Sequence, residues 1–210
     1  MTVYCLPATD PAENLAAEDR IFRGAETCAL LWRNTPCVIL GRNQSAESEV
    51  SLWGRRNIPI FWRKTGGGAV YQDLDNINFS FFYTQPMPRE MRESVQPVAD
   101  FLRLHGLPVV FSGRNDLLLG GKKISGCAMR HSGDRTLVHG TLLFRRDADA
   151  MEKILTPDAD KLRRHGVVSV RARTGELAPV LPQYADAEQF MLALGGYLRN
   201  FGETKQEGSR

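Results

Sequence analysis

The chain has 210 residues, of which 42% are hydrophobic and 24% are charged, and this ordinary composition predicts one folded domain with a substantial core. Such a composition argues against a disordered chain or a fibrous repeat. The net charge of +3, from 27 Lys and Arg against 24 Asp and Glu, is too small to indicate a nucleic-acid-binding protein. The chain has neither an apolar run approaching the ~20 residues of a membrane span nor a signal-peptide pattern at its start, so we expect a cytoplasmic protein without a membrane contact.

The four cysteines are far apart in the sequence. None belongs to a CxxC pair, and none has a histidine at zinc-finger spacing. We therefore expect neither a disulfide framework nor a structural zinc site.

The first predicted elements are a short strand over 3–6 and a helix from Pro11 to about Arg23. Asp10 is the expected N-cap, because a proline at the first helical position and an acid three residues after the cap follow it. The stripe expected to face the core consists of apolar and small side chains, at Leu15, Ala16, Ala17, Ile21 and Phe22.

Two apolar runs, 29–32 and 37–40, lie on either side of Asn34, Thr35 and Pro36, and this arrangement predicts a hairpin. Further strands are predicted over 58–62, 78–83, 109–111, 116–119, 122–129 and 136–144. Helices are predicted over 91–104, 147–155, 158–164 and 186–200. Together these elements predict an α+β fold, a mixed β-sheet packed with helices, in a single domain over 1–200 followed by a flexible tail over 201–210.

Three consecutive glycines follow an arginine in the stretch Arg63 to Tyr71, inside a strand-like context. Glycine weakens a strand, so its use here is expected to be the close approach of backbone N–H groups to a ligand. Arg63 would add charge for a phosphate or carboxylate. The alternative is a flexible turn or a bulge, and the glycines alone do not decide between these readings. The pattern is neither a Walker A loop nor a GxGxxG turn that opens a helix.

A second polar stretch runs from Gly113 to Ala128. A lysine flanked by small residues on a strand can direct its ammonium into a cleft and stabilise charge on an acyl or phosphoryl oxygen. Asn115 and Asp116 offer oxygen ligands for Mg²⁺. The alternative, which the spacing alone favours, is a surface hairpin with solvated lysines and ordinary turn residues.

His139 lies in a strand-like run, where a lone histidine is more often a satisfied core residue than a catalytic base. Arg171 and Arg173 would face the same side of an extended segment, although a solvated face is the commoner explanation.

These stretches, taken in order, resemble the lipoate-protein ligase family, which shares one catalytic fold with biotin ligases. The resemblance covers about residues 12 to 175. It rests on the motifs at 14–18, 41–44, 63–71, 113–116, 123–126, 139–143 and 169–173.

The resemblance implies a two-step reaction in which ATP and Mg²⁺ activate lipoate to lipoyl-AMP, and the lipoyl group then passes to a lysine of a lipoyl domain. The acceptor would be the lipoyl domain of an acyltransferase subunit or a glycine-cleavage H-type protein. Because a carboxylate attacking the α-phosphate brings negative charges together, a cation and oriented N–H donors suit the transition state.

On this resemblance Lys123 is the expected catalytic residue, in contact with both the acyl carboxyl and the α-phosphate. Residues expected to bind ATP or lipoyl-AMP are Arg63, Gly66, Gly67, Gly68, Ala69, Val70, Tyr71, Asn115, Asp116 and Lys123. Asp116 is the expected Mg²⁺ ligand. Residues expected to bind lipoate are Arg42, Gly67, Lys123, His139 and Gly140, with Val38 and Leu40 helping to form an apolar slot.

The chain departs from the family pattern at four positions. Trp62 stands where a second arginine is usual, Gln72 where a histidine is common, Asp75 where a glycine is common, and Cys127 where a serine is common. Ligases that complete both steps also carry a C-terminal accessory domain, and beyond about residue 175 this chain has room only for one or two helices.

Three hypotheses follow from these departures. The first is a ligase that uses a separate accessory polypeptide or works without one. The second is a lipoyl or octanoyl transferase that takes the acyl group from a preformed adenylate or a carrier without ATP. Thr136 stands where one transferase type has its cysteine, and Cys127 is expected to be a packing residue. The third is a non-enzymatic binding module. We favour the ligase, since Lys123 and the glycine loop are both present.

Overall fold

A computed structural model of the chain describes residues 1–84, 90–113, 115–155 and 174–207, with 202–207 as backbone. The helix predicted over 158–164, Arg114, and the predicted arginine pair Arg171 and Arg173 lie outside the described residues.

Within the described ranges, ten strands form two β-sheets. In chain order they are β1 (Thr2–Cys5), β2 (Cys28–Trp32), β3 (Cys37–Leu40), β4 (Ile60–Trp62), β5 (Val70–Gln72), β6 (Asn76–Tyr83), β7 (Val110–Ser112), β8 (Asp116–Leu119), β9 (Lys122–Ser132) and β10 (Arg135–Leu143). The large sheet has the order β1-β2-β6-β10-β9-β8-β7, and the small sheet has the order β4-β3-β5. Because β1–β2 and β3–β4 pair in parallel and the other pairs are antiparallel, both sheets are mixed.

The hairpin predicted over 29–40 is wrong, because β2 and β3 lie in different sheets. β2 pairs with β1 and β6, whereas β3 pairs with β4 and β5. Every residue of both strands is buried. A continuous apolar run of this kind identifies a buried strand but carries no information about its partner.

Six α-helices accompany the sheets in the described residues. They are α1 (Pro11–Arg23), α2 (Ala46–Glu49), α3 (Leu52–Asn57), α4 (Met91–Leu104), α5 (Ala148–Ile154) and α6 (Ala187–Glu207). The predicted N-cap of α1 is confirmed, since the Asp10 carboxylate accepts from the N–H groups of Ala12 and Glu13 at 2.8 and 2.9 Å. The last helix continues beyond Asn200 to Glu207.

The helices divide between the two faces of the large sheet. On one face α4 and α6 bury the main apolar core, which includes Phe79, Phe81, Val98 and Leu194. On the other face α1 covers a smaller cluster around Phe22 and Leu137. The small sheet has its own core with α2, α3 and α5 nearby. The predicted mixed sheet packed with helices is confirmed. None of the described helices combines the length and the apolar composition that crossing a membrane requires.

The buried stripe of α1 differs from the predicted one. Its buried residues include Asn14, Glu18 and Phe22, spaced by four, whereas Ala16 is exposed. Two polar side chains thus lie where an apolar stripe would be expected, and they face the sheet. This arrangement brings a carboxylate into the interior on the face described next.

Candidate active site

Polar side chains gather on the face of the large sheet that is turned towards α1. Directly paired residues of neighbouring antiparallel strands share a face of the sheet. One row across the strands is Asp116, Gly126, Thr141 and Asn78, and the adjacent row contains Ala128, His139 and Ser80. These two rows form the floor of the candidate site.

A bulge in β9 brings Lys123 to this face. The pairing shifts by one residue between Leu117, opposite Ser125, and Leu118, opposite Lys123, so that Ile124 is the extra residue. By simple alternation Lys123 and Gly126 would face opposite sides, but bulges redirect side chains. Here a Cβ atom on Gly126 would lie only 2.7 Å from the Lys123 Nζ. The lysine therefore lies directly over a glycine that leaves room for it.

The Lys123 ammonium forms an ion pair with Asp116, with 2.7 Å between Nζ and Oδ1. Both side chains are partly exposed, at 37% and 29%. A partly solvated pair of this kind contributes little to folding stability. The lysine is thus held in place and remains accessible to a ligand that offers a stronger anion.

Asn115 fixes the backbone beside this pair. Its amide nitrogen donates to the Cys127 carbonyl at 3.1 Å, and the Cys127 N–H donates to the Asn115 carbonyl at 2.8 Å. Cys127 itself turns to the main core, where it is 7% exposed, and burial raises the pKa of its thiol to about 12. A thiol with so high a pKa is a poor nucleophile near neutral pH.

Arg63 organises the glycine loop from within. Its Nη2 donates to the carbonyls of Gly66 and Gly68 at 2.7 and 2.8 Å, and its Nη1 donates to the Ile39 carbonyl at 3.1 Å. Its Nε donates to the Thr65 hydroxyl at 3.1 Å. The side chain is only 8% exposed. It therefore shapes the loop, while its predicted contact with a nucleotide stays a prediction.

The contacts of Arg63 also orient the N–H groups of the loop. In a trans peptide the N–H points away from the C=O. Because the carbonyls of Gly66 and Gly68 point to the guanidinium, the N–H groups of Gly67 and Ala69 point away from it. Added Cβ atoms at Gly66 and Gly68 would meet nothing within 4 Å, whereas Gly67 has φ of 96° and requires glycine. The loop thus has free space beside Gly66 and Gly68, and its N–H groups at Gly67 and Ala69 are directed away from the guanidinium.

Gly41 holds this loop against β3. A Cβ atom at position 41 would lie 2.1 Å from the carbonyl oxygen of Gly67. The adjacent Arg42 donates its backbone N–H to the Thr65 carbonyl at 2.8 Å, and its side chain is exposed. The close approach of the two backbones explains why glycine stands at position 41.

A buried chain of hydrogen bonds connects α1 to the glycine loop through His139. The His139 Nδ1–H donates to Glu18 at 2.8 Å, and the Nε2 shares a hydrogen bond of 2.7 Å with the Thr65 hydroxyl. The Ser80 hydroxyl also donates to Glu18. His139 is 9% exposed and Glu18 is 3% exposed. Both ring nitrogens of His139 are thus occupied within the protein.

Two opposing effects act on the Glu18 carboxyl. Burial raises its pKa, but the charge and hydrogen bond of His139, the hydrogen bond of Ser80 and the charge of Arg63 together lower it below its ordinary value. A buried carboxylate that keeps its charge in this way is satisfied by hydrogen bonds rather than protonated.

Gln72 connects the small sheet to the large one. Its amide nitrogen donates to Asn78 at 2.6 Å and to the Thr141 hydroxyl at 3.1 Å, and its oxygen accepts from Asn34 at 2.7 Å. Asn34 in turn accepts from Asn14 of α1 at 2.8 Å. This network connects both sheets and α1 at the floor of the candidate site.

The remaining predicted residues lie in two places, on the large sheet and in the core of the small sheet. Gly140 stands where a Cβ atom would meet Phe79 at 2.5 Å and the Cys127 sulfur at 2.8 Å, so a larger residue does not fit. Val38, Leu40 and Tyr71 belong to the core of the small sheet. Val38 and Leu40 are fully buried in that core, and the apolar slot expected beside them stays a prediction.

Asp116 is also the predicted ligand of Mg²⁺. Within the described ranges, no group of three or more His, Cys, Asp and Glu side chains is arranged to hold a metal ion. Magnesium in phosphoryl-transfer sites is usually held by one or two carboxylates together with substrate phosphates. A single carboxylate at Asp116 fits that pattern.

Glu18, Thr65 and Ser80 are site residues that were not predicted from the sequence, and Gln72 was noted there only as a departure from the family pattern. For Glu18 a signal was present, since Asn14, Glu18 and Phe22 recur at helical spacing. Thr65 and Ser80 gave no such signal, because a hydroxyl in a strand or loop acquires its role from a partner far away in the sequence.

Residues 10–199 match the family described as lipoyl protein ligase A/B catalytic domain. The lipoate-protein ligase A of Bdellovibrio bacteriovorus is 37% identical over 217 residues, an alignment that covers 99% of this chain and 63% of that protein. The chain thus spans about three fifths of the length of the curated relatives it matches.

Two solved structures have the same fold. One is described as a bi-partite lipoate protein ligase and its E2 lipoyl domain from Thermoplasma acidophilum, with 28% identity, a TM-score of 0.80, and coverage of 98% of this chain and 84% of that one. The other is lipoate-protein ligase A bound with ATP, with 27% identity, a TM-score of 0.78, and coverage of 98% and 86%. The predicted fold type and the resemblance are confirmed, and the chain belongs to the lipoyl protein ligase A/B catalytic domain family.

Proposed function

We propose that this chain is the catalytic domain of an ATP-dependent lipoate–protein ligase. The observation that carries the proposal is the placement of Lys123. A bulge and a glycine bring its ammonium to the polar face beside Asp116, on the same face as His139, which is bonded to the glycine loop. This is the arrangement of a cation and backbone donors that adenylation of a carboxylate requires.

In the first step, a carboxylate oxygen of lipoate attacks the α-phosphorus of ATP. The bond from that phosphorus to the oxygen bridging the α- and β-phosphates breaks, and pyrophosphate leaves. Lys123 lies between the two anions and offsets their repulsion, while the N–H groups of Gly67 and Ala69 donate to phosphate or carboxylate oxygens.

In the second step, the amine of the acceptor lysine attacks the acyl carbon. The bond from that carbon to the AMP oxygen breaks, AMP leaves with the bonding pair, and the amine loses a proton. We propose as acceptor the lipoyl domain of an acyltransferase subunit or a glycine-cleavage H-type protein, since a solved relative is described together with an E2 lipoyl domain.

We assign the other predicted residues supporting roles. Gly66 to Tyr71 hold the nucleotide through their backbone, and Arg63 keeps this loop in shape. Arg42, His139 and Gly140 border the lipoate. Asn115 fixes the strand beside Asp116. Asp116 would hold Mg²⁺, which would neutralise charge on the phosphates when bound.

A transferase that uses Cys127 as nucleophile has little support. The thiol faces the main core, and burial raises its pKa to about 12. The bi-partite description of the Thermoplasma acidophilum ligase instead supports a separate accessory polypeptide as the alternative for this chain.

The test is pyrophosphate release from ATP when lipoate is added to the purified chain, followed by addition of an isolated lipoyl domain. Release, then a mass increase of the domain by one lipoyl group, supports the ligase. Transfer only from synthetic lipoyl-AMP, with no release even after a candidate accessory polypeptide is added, would contradict ATP-dependent activation by this domain.

A further inference from the structure

A groove of about 430 Å³, open to solvent, lies between α1, the end of the β9–β10 hairpin and the glycine loop. We call it the basic groove. Its lining includes Asp19, Phe22, Arg23, Lys64, Arg130 and Arg135. None of these residues has a role in the proposed reaction.

Two of its four cations are fixed in place by neutral groups. Arg135 donates to the carbonyls of Ile21, Phe22 and Glu26 at 3.1, 3.2 and 2.9 Å, which lie in the last turn of α1 and just beyond it. The Arg130 guanidinium lies 4.5 Å from the centre of the Phe22 ring. Neutral partners position a guanidinium without cancelling its charge.

The other two cations extend from exposed positions. The Arg23 side chain is 75% exposed and pairs with Asp19, and Lys64 is exposed on the glycine loop. Asp19 also lies 3.8 Å from Arg130, so one carboxylate serves two cations. With four cations and one carboxylate, the basic groove carries the same +3 as the whole chain, and the remainder of the chain is balanced in charge.

The basic groove opens onto the same sheet face as Lys123. Arg130 lies opposite Leu137, two residues along β10 from His139, so these side chains share a face. Along β9 it stands four residues from Gly126, over which the Lys123 ammonium lies, and this corresponds to about 13 Å. Lys64 adjoins Thr65, which is hydrogen-bonded to His139.

We propose that the basic groove docks the lipoyl domain through carboxylates that lie close to its acceptor lysine. The proposal rests on the proposed function. The second step must bring a cationic lysine side chain towards Lys123, and carboxylates around that lysine would offset the repulsion by pairing with Arg23, Lys64 and Arg130. Complementary charges of this kind accelerate association and set the orientation of the partner.

The distance argues for a protein partner rather than the nucleotide. The α-phosphate is proposed to lie at Lys123, and the β- and γ-phosphates follow at the spacing of one bridging oxygen each. A triphosphate therefore covers only part of the about 13 Å of strand between Gly126 and Arg130, and the Arg130 guanidinium is held over the Phe22 ring of α1.

The test compares the parent chain with Arg23→Glu, Lys64→Glu and the double variant. Adenylation is measured as pyrophosphate release, and transfer from synthetic lipoyl-AMP is measured over a range of lipoyl-domain concentrations and of salt. We expect adenylation to stay within about twofold and the KM for the lipoyl domain to rise about tenfold in the double variant, with a weaker salt dependence than in the parent. Arg56→Glu, the same charge change on exposed α3, is the matched control.

An unchanged KM and an unchanged salt dependence in the folded double variant would overturn the proposal. So would a raised KM for ATP with normal transfer, which would assign the basic groove to the nucleotide. If the charge reversals prevent folding, Arg23→Gln with Lys64→Gln replaces them, with a smaller rise in KM expected.

Direct titration of the parent and the double variant with the lipoyl domain keeps this proposal separate from the ligase assignment. Binding that weakens in the double variant supports the basic groove even if no adenylate forms. Equal binding by both chains contradicts it. If carboxylates near the acceptor lysine make the contact, a lipoyl domain with lysines in their place should bind the double variant better than the parent.

Discussion

Two neighbours, Gly126 and Asp116, fix the position of the Lys123 side chain. Gly126 leaves the space that the ammonium occupies, and Asp116 orients it. Since this ion pair is partly exposed, it is weak as a stabilising contact, and its value is the fixed place of the charge.

Replacing Lys123 separates this role from folding. We expect Lys123→Ala to slow pyrophosphate release about a hundredfold to a thousandfold, because it removes the cation that offsets charge in the transition state. Its free energy of unfolding should change by about 0.5 kcal/mol or less, as for an ordinary surface substitution. The neighbouring exposed Lys122→Ala is the control, and equal release rates in both variants would contradict the assignment.

Glu18 is a different kind of charged residue, since it is buried and its partners are on other elements. Its pKa is lowered in the folded protein. The stability due to its ionisation is therefore fully present above its ordinary value, near pH 4.3, and is lost as the pH falls through the folded-state pKa.

We accordingly expect Glu18→Gln to lower the free energy of unfolding by about 3 kcal/mol at neutral pH, because His139 loses its charged partner in the interior. The difference from the parent should narrow as the pH falls below the ordinary value near 4.3 and through the lower folded-state pKa, where the parent carboxylate also becomes protonated. Urea unfolding over a pH series measures this, with the exposed Glu13→Gln as control. A difference independent of pH would show that the carboxylate charge is not the cause.

At the scale of elements, the glycine loop consists of positions with different requirements. Gly67 has a positive φ, whereas Gly66 and Gly68 have free space where a side chain would be. Gly41, from a neighbouring strand end, is the most constrained, because it faces the backbone of Gly67.

Glycine-to-alanine substitutions, each of which adds one methyl group, can measure this difference. Gly41→Ala should lower the free energy of unfolding by about 2 kcal/mol or more, since backbone rather than a flexible side chain must move. Gly68→Ala should change it by no more than about 0.5 kcal/mol. Urea denaturation midpoints of the two variants and the parent decide the matter, and similar losses in both would refute the close contact at Gly41.

Elements with local signals were predictable from the sequence. Capping at Asp10 and apolar periodicity located α1 and α4, and β8 was located from its apolar run. The bulge at Ile124 was not predictable, because it depends on how two strands pair. For the same physical reason the hairpin predicted from β2 to β3 was wrong, since the apolar sequence of a strand does not determine which strand pairs with it.

At the scale of the whole molecule, two sheets with separate cores are connected by polar contacts. Gln72, on the small sheet, bonds to Asn78 and Thr141 of the large sheet and accepts from Asn34. A family resemblance could flag position 72, but only the assembled sheets show what the amide does. The order of strands and this connection both depend on contacts between distant parts of the sequence.

We expect Gln72→Leu to lower the free energy of unfolding by about 3 kcal/mol, because a side chain of similar size removes the oxygen that accepts from the buried amide nitrogens of Asn34 and Asn78. Thermal and urea unfolding measure the loss, with Gln183→Leu at an exposed position as control. Equal stability of the two variants would mean that the sheets do not depend on this amide.

The placement of Arg63 has a consequence for how the glycine loop meets its ligand. The guanidinium donates hydrogen bonds to two carbonyls of the loop and to a third carbonyl in β3. A lysine would keep the charge but has no planar fork, so Arg63→Lys is not a conservative change here. The glycine loop already has its conformation when the chain has folded. Little of the binding energy of a substrate is therefore needed to order it.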